Sequence, residues 1–104
     1  MKAFAERGSQ VVFLDVADAN AHALGARIRP AARIAPVYVH CDLTDSTALE
    51  LYLKEMIGRF RGAIDVVVNN AGNDSLHTTR DVTPEFWDQC MAVNLKHQFF
   101  VSRA

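Results

Sequence analysis

The chain has little of what commits a sequence to a special environment. It holds two cysteines, Cys41 and Cys90, and they are not arranged as a disulfide framework or a zinc knuckle. One follows a β-like run and the other lies in a helical run, so both read as buried structural thiols. There is no basic cluster, and the net charge is -1, so no long-range pull toward nucleic acid or an anionic membrane is expected. No apolar run approaches a membrane span, and residues 1–8 lack the apolar stretch of a signal peptide. A reducing, cytoplasmic location is the default expectation. No histidine and cysteine have metal-ligand spacing, so no metal is expected. Internal repeats, low-complexity tracts and linkers are also missing, and 104 residues allow one small domain. Core material is plentiful, with 50% hydrophobic residues. A domain of this size buries a smaller share of its surface than a larger one, so losing one strand would be costly.

Three β-branched runs stand out, at residues 11–14, 37–40 and 64–68. Each is nearly continuous in apolar residues rather than alternating, which suits strands covered on both faces in a parallel sheet. Helical segments separate them. Residues 45–60 put Leu49, Leu53, Met56, Ile57 and Phe60 on one stripe. Asp45 or Ser46 is placed to cap the start, and Gly62 to end the helix in a left-handed turn. Residues 17–28 make a weaker helix, with Gly25 against it and its alanines for it. The last helix starts at Pro84 with Thr83 as its cap. It runs to the chain end with Trp87, Met91, Leu95 and Phe99 four apart, and the Phe99-Phe100 pair and Trp87 read as core or interface packing. Residues 1–7 read as the last two turns of a helix closed by Gly8. The alternation predicts an α/β fold with a doubly wound parallel sheet. A further strand, the first and central one, is expected to precede the opening helix.

Asp15 ends the first visible strand. In a dinucleotide-binding βαβ unit an acidic residue lies ~20 residues past a glycine-rich loop, at the end of the second strand. Its carboxylate accepts hydrogen bonds from the adenosine ribose. The alternative is a solvated strand-end carboxylate. In the first reading a 2′-phosphate would set like charges together beside Asp15, and Val16 offers no positive charge to offset this, so NAD is favoured over NADP. Asp42 and Leu43 follow the next strand. Asp42 could accept from the adenine amino group with Leu43 near the ring, or Asp42 or Asp45 could simply cap the next helix. The sharpest signal is Asn69-Asn70-Ala71-Gly72 after the third run. It places amides and free backbone at the carboxyl edge of the sheet, where open α/β folds bind ligands. Gly72 permits close backbone approach or a positive φ. Asn94 stands out inside a helix, where its side chain competes for backbone hydrogen bonds; a satisfied core or interface Asn is the plain reading. His77 and His97 read as surface histidines, with substrate or subunit contact as the alternative.

In these motifs the chain resembles the short-chain dehydrogenase/reductase family, whose strand-end motif is Asn-Asn-Ala-Gly. Asp15, Asp42-Leu43 and the helix bearing Val93-Asn94-Leu95 fall where that family has them, and the resemblance covers essentially the whole chain. The stretch from Asn70 through His77 and Val82-Thr83-Pro84 to His97 is similar to bacterial NAD-dependent sugar dehydrogenases. The resemblance implies a partial Rossmann-like fold carrying the second to fourth strands of the family's sheet, with NAD as cofactor. It implies that Asp42 and Leu43 hold adenine and that Asn70, Ala71 and Gly72 line the ribose and nicotinamide side. It makes Asn94 the catalytic-tetrad Asn, whose backbone carbonyl holds a water in a proton relay. The implied activity is hydride transfer between a sugar or secondary alcohol and the nicotinamide, with an alcohol, ketone or sugar as small-molecule partner and a homo-oligomeric parent, dimer or tetramer. A 3-oxoacyl carrier-protein reductase-type activity and a non-catalytic nucleotide-binding or pairing module are the alternatives.

The departures matter as much. The family's glycine-rich loop, its catalytic Ser and its Tyr-x-x-x-Lys pair are absent. The two tyrosines are Tyr38 and Tyr52, and Asp42 and Met56 stand four beyond them. Without a Tyr kept acidic by a nearby Lys there is no general acid–base for hydride transfer at a carbinol carbon. Without the loop the pyrophosphate lacks its main anchor. Residues 1–104 are therefore expected to be a partial NAD(P)-binding domain, truncated at both ends and inactive alone. The 64–68 strand is expected to lack its proper neighbour, unless it shifts against the 11–14 strand, and to expose an apolar edge.

Overall fold

A computed structural model describes residues 1–62 and 64–104. The chain divides into two compact units, Met1–Asp42 and Leu43–Ala104.

The first unit contains helix α1 (Lys2–Glu6), strand β1 (Val12–Asp15), helix α2 (Asp18–Ile28), a 3₁₀ turn (Arg29–Ala31) and strand β2 (Val37–His40). β1 and β2 pair in parallel, with Val12 opposite Val37 and Asp15 opposite His40. Gly8 closes α1 as expected, with φ 93. Its N–H donates to the Ala5 carbonyl while Ser9 N–H donates to that of Phe4, the two bonds of a Schellman cap. Ala5, Ala21, Ile28 and Cys41 are the buried apolar side chains here. The strands are only half-buried, short of the two-sided cover their composition predicts. Phe13 and Tyr38, opposite one another in the ladder, bring their ring centroids to 5.4 Å.

The second unit is helical. It contains α3 (Ser46–Arg59), α4 (Pro84–Met91) and α5 (His97–Arg103), with a π-helical turn (Ala92–Lys96) joining the last two. Asp45, rather than Ser46, caps α3: its Oδ1 accepts from the Thr47 and Ala48 N–H groups at 3.1 and 3.0 Å. The predicted stripe points inward, with Leu49 and Leu53 buried and Met56, Ile57 and Phe60 half-buried. Keeping Phe60 on that stripe leaves the reversal to the next residue. The left-handed cap is therefore Arg61 (φ 57), and Gly62 (φ 79) follows it. Arg61 N–H donates to the Gly58 carbonyl and Gly62 N–H to that of Ile57. Thr83 caps α4 as expected, its hydroxyl accepting from Phe86 N–H at 3.2 Å, with Pro84 in the first turn.

Two expectations are corrected in this unit, the third strand and His97. Residues 64–82 form no helix or strand, so the third predicted strand is an unpaired segment with Val66 and Val68 exposed. A strand exists through its hydrogen-bonded neighbour, and no described residue of this unit supplies one. On the last helix Trp87, Leu95 and Phe99 are each more than half exposed and Met91 is exposed too, which excludes core packing within this unit. His97, expected at the surface, is buried at 3% exposure at the start of α5, a helix that packs on α3 and ties Arg103 to Glu50 at 2.8 Å. Both cysteines are free thiols; Cys41 is buried and Cys90 half-buried. Among the described residues no helix is long and apolar enough to cross a membrane, and no group of three or more His, Cys, Asp or Glu could hold a metal ion.

Candidate functional site

In the first unit, Asp15 stands opposite His40 at the carboxyl end of the two strands. Asp15 Oδ1 accepts from the N–H groups of Val16 at 2.7 Å and Ala17 at 3.0 Å, which bends the chain into α2. Among the described residues no hydrogen bond reaches its second oxygen. The ladder continues one residue further through Cys41 N–H, which donates to the Asp15 carbonyl at 3.0 Å. Asp42 therefore lies just past the sheet edge, exposed.

A cluster that the sequence analysis did not single out adjoins Asp15. The Tyr38 hydroxyl donates to Asp18 Oδ1 at 2.5 Å and lies 3.0 Å from the Asp15 carbonyl oxygen. His40 Nδ1 is 2.7 Å from the same Asp18 oxygen. An ionised carboxylate only accepts, so His40 carries its proton on Nδ1. Hydrogen bonds from Tyr38 and then His40 hold the Asp18 carboxyl below the usual carboxylate range. Desolvation, and then the Asp18 carboxylate, push the Tyr38 hydroxyl up to about 12. The signal available in the sequence was the two-residue spacing of Tyr38 and His40, which puts both on one face of β2.

In the second unit, Asn94 lies within the π-helical turn and clamps the segment after Asn69-Asn70-Ala71-Gly72. Its Oδ1 accepts from Asn73 N–H at 2.7 Å and its Nδ2 donates to the Asn73 carbonyl at 2.9 Å. The amide thus reads the Asn73 backbone as a neighbouring strand would. Gly72 suits this closeness: a Cβ there would meet Asn94 Oδ1 at 3.0 Å, so the amide would have to give way. Asn73 in turn accepts from the Ser75 N–H and hydroxyl at 3.0 and 2.7 Å, and Asn69 donates to the Ser102 hydroxyl at 3.2 Å. The Asn94 backbone carbonyl accepts from Gln98 Nε2 at 2.9 Å. π-helical turns within helices occur frequently at functional sites, and neither this turn nor Gln98 was foreseen. Asn70 and Ala71 are exposed beside the clamp, and Leu43, at the start of the unit, is half-buried. His77 is exposed and lies against Phe86, ring centroids 3.7 Å apart.

A parallel βαβ unit with an acidic strand end, and an Asn-Asn-Ala-Gly segment clamped by a helix Asn, define a class. The chain belongs to the short-chain dehydrogenase family, whose sequence profile matches residues 1–104. It is 43% identical over 101 residues to the D-xylose 1-dehydrogenase of Caulobacter vibrioides, covering 97% of this chain and 38% of that protein. It is 34% identical over 104 residues to a probable galactose dehydrogenase of Rhizobium meliloti, covering 100% of this chain and 40% of that protein. The chain thus spans about two fifths of the length of these relatives. Among solved structures, a metagenomic short-chain oxidoreductase in complex with NADP superposes with a TM-score of 0.89 at 27% identity, covering 98% of this chain and 46% of that one. The expected partial Rossmann-like α/β fold and the likeness to bacterial sugar dehydrogenases both hold.

Proposed function

We propose that the chain is part of an NAD-dependent oxidoreductase that transfers hydride between a sugar or other secondary alcohol and the nicotinamide, with residues 1–104 supplying part of its nucleotide-binding domain. The similarity to D-xylose and galactose dehydrogenases supports a sugar hydroxyl as the reacting group. The observation that carries the cofactor reading is Asp15. Its Oδ1 is spent on the Val16 and Ala17 backbone, which fixes the carboxylate with one oxygen for the adenosine ribose hydroxyls. A 2′-phosphate would meet that charge directly, and Val16 supplies no cation. The support for NAD is the fixed Asp15 carboxylate with no cation at Val16, although a solved relative carries NADP.

In this reading Asp42 accepts from the adenine amino group and Leu43 lies along the ring. Asn70, Ala71 and Gly72 line the ribose and nicotinamide side. Asn94 fixes that segment through Asn73, and its carbonyl, which accepts from Gln98 Nε2, is the group that would hold the relay water. When bound, the nicotinamide takes or gives the hydride. A cytoplasmic, homo-oligomeric parent enzyme belongs to the same reading. The test is titration of the chain with NAD and NADP. NAD should bind more tightly, and Asp15→Ala should narrow the difference; equal affinities in the unaltered chain would refute it. Residues 1–104 hold no Tyr-x-x-x-Lys pair, so the purified chain should form no NADH from D-xylose or D-galactose, and measurable turnover would refute that part.

A further inference from the structure

His22, Gly25, Ala26 and Arg29 follow the i, i+3, i+4, i+7 spacing, so they share one face of α2 and of the turn that continues it. On the strands stand Phe13 and Tyr38, ring centroids 5.4 Å apart, and His22 meets the Tyr38 ring edge-on at 5.2 Å. These residues line an open cleft of about 340 Å³ between the helix and the strands. Ligand pockets span about 300–1,000 Å³, so this cleft suits a small molecule. Two of its lining residues are not explained by the fold. Gly25 lies inside α2, where only proline is a poorer helix former. Its φ is not left-handed, and a Cβ there would meet nothing within 4 Å. Neither the backbone nor the packing calls for glycine; the missing side chain leaves the floor of the cleft open. Arg29 is exposed, and among the described residues its guanidinium has no carboxylate partner.

We propose that this cleft binds a small aromatic carboxylate, its ring set against Phe13 and Tyr38 over Gly25 and its carboxylate on Arg29. Aromatic walls reward a ring through offset or edge-on contacts. A guanidinium offers a planar fork that matches a carboxylate. Charge fixes the direction of the ligand. Asp18 opens α2 and holds the Tyr38 hydroxyl, while Arg29 follows the last residue of the helix. An anion is repelled at the first end and drawn to the second. The site is independent of the cofactor reading, since Asp15 does not line the cleft.

The test is titration of the 104-residue chain with benzoate, followed by amide chemical shifts. Benzamide and cyclohexanecarboxylate serve as probes that lack the charge and the aromatic ring. Benzoate should shift the Gly25 and Ala26 signals and bind about fivefold more tightly than benzamide, the margin of a charge-assisted hydrogen bond over a neutral one. Cyclohexanecarboxylate should bind more weakly than benzoate. Arg29→Gln should bring benzoate down to the benzamide level and leave benzamide unchanged. Gly25→Leu puts a good helix former into the floor, so it should raise the melting temperature and abolish benzoate binding. A merely structural glycine would not move stability and binding in opposite directions. Equal affinities for benzoate and benzamide, full benzoate binding by Gly25→Leu, or no benzoate binding by the folded unaltered chain would each overturn the proposal.

Discussion

Gly72→Ala isolates the contact on which the second unit's candidate site depends. Gly72 is not needed for a left-handed backbone, since its φ lies outside that region. The cost of a side chain is therefore steric and falls on one atom, Asn94 Oδ1, which an added Cβ would approach to 3.0 Å where about 3.4 Å is comfortable. The Asn94 amide has to withdraw by a few tenths of an ångström. Its bonds to the Asn73 N–H and carbonyl, 2.7 and 2.9 Å, lengthen or break together because one rigid amide makes both. Each bond is worth about 1 kcal/mol net. Alanine recovers about 0.4–1 kcal/mol by restricting the unfolded chain, which leaves a net local loss of about 1 kcal/mol. In an Asn94→Ala background there is no Oδ1 to strike, so the same Gly72→Ala change should be neutral or stabilising. Amide hydrogen exchange at Asn73 reads this without requiring global unfolding. Gly72→Ala should speed it by about fivefold, on the usual conversion of 1 kcal/mol. Exchange as slow as in the unaltered chain, or an equal effect of Gly72→Ala with and without the Asn94 side chain, would refute the reasoning.

Three further outcomes follow from particular side chains. Arg61→Gly should raise the thermal stability of the second unit by about 1 kcal/mol, because Arg61 holds φ 57 just past the C-cap Phe60 of α3, where glycine has no Cβ penalty; a lowered melting temperature would contradict it. His97→Leu should stabilise by about 1 kcal/mol in denaturant unfolding, since both ring nitrogens of this buried side chain lack a hydrogen-bond partner among the described residues and leucine leaves none to satisfy. In the first unit, Tyr38 should titrate at about 12 by phenolate absorbance, and Tyr38→Phe should remove that step. The sign is fixed at both ends of the scale: Tyr38, raised in the folded state, gives stability present below pH 10 and lost as pH rises toward about 12. Asp18, lowered in the folded state, gives stability present above its usual value of 3.8 and lost as pH falls below it. Asp18→Asn should flatten the acid limb.

Local chemistry was legible from the sequence because it depends on near neighbours. The Gly8 cap, Asp45 and Thr83 as helix caps, the Leu49–Leu53 stripe and the Asp15 strand end all follow from residue types a few positions apart. The family was legible for a related reason: Asn69-Asn70-Ala71-Gly72 and Asn94 keep their spacing whatever lies around them. Tertiary structure decided what depends on partners distant in the chain. The 64–68 run has the composition of a buried strand, but a ladder needs a neighbour, and composition does not supply one. His97 looked like a surface residue until the packing of α5 on α3 buried it. Asn94, an awkward helix residue in the sequence, is explained only by the Asn73 backbone it clamps, 21 residues away. Asp18 carried no motif at all. Its partners were set when β2 paired with β1 and brought Tyr38 and His40, 20 and 22 residues away, within reach of one carboxylate oxygen.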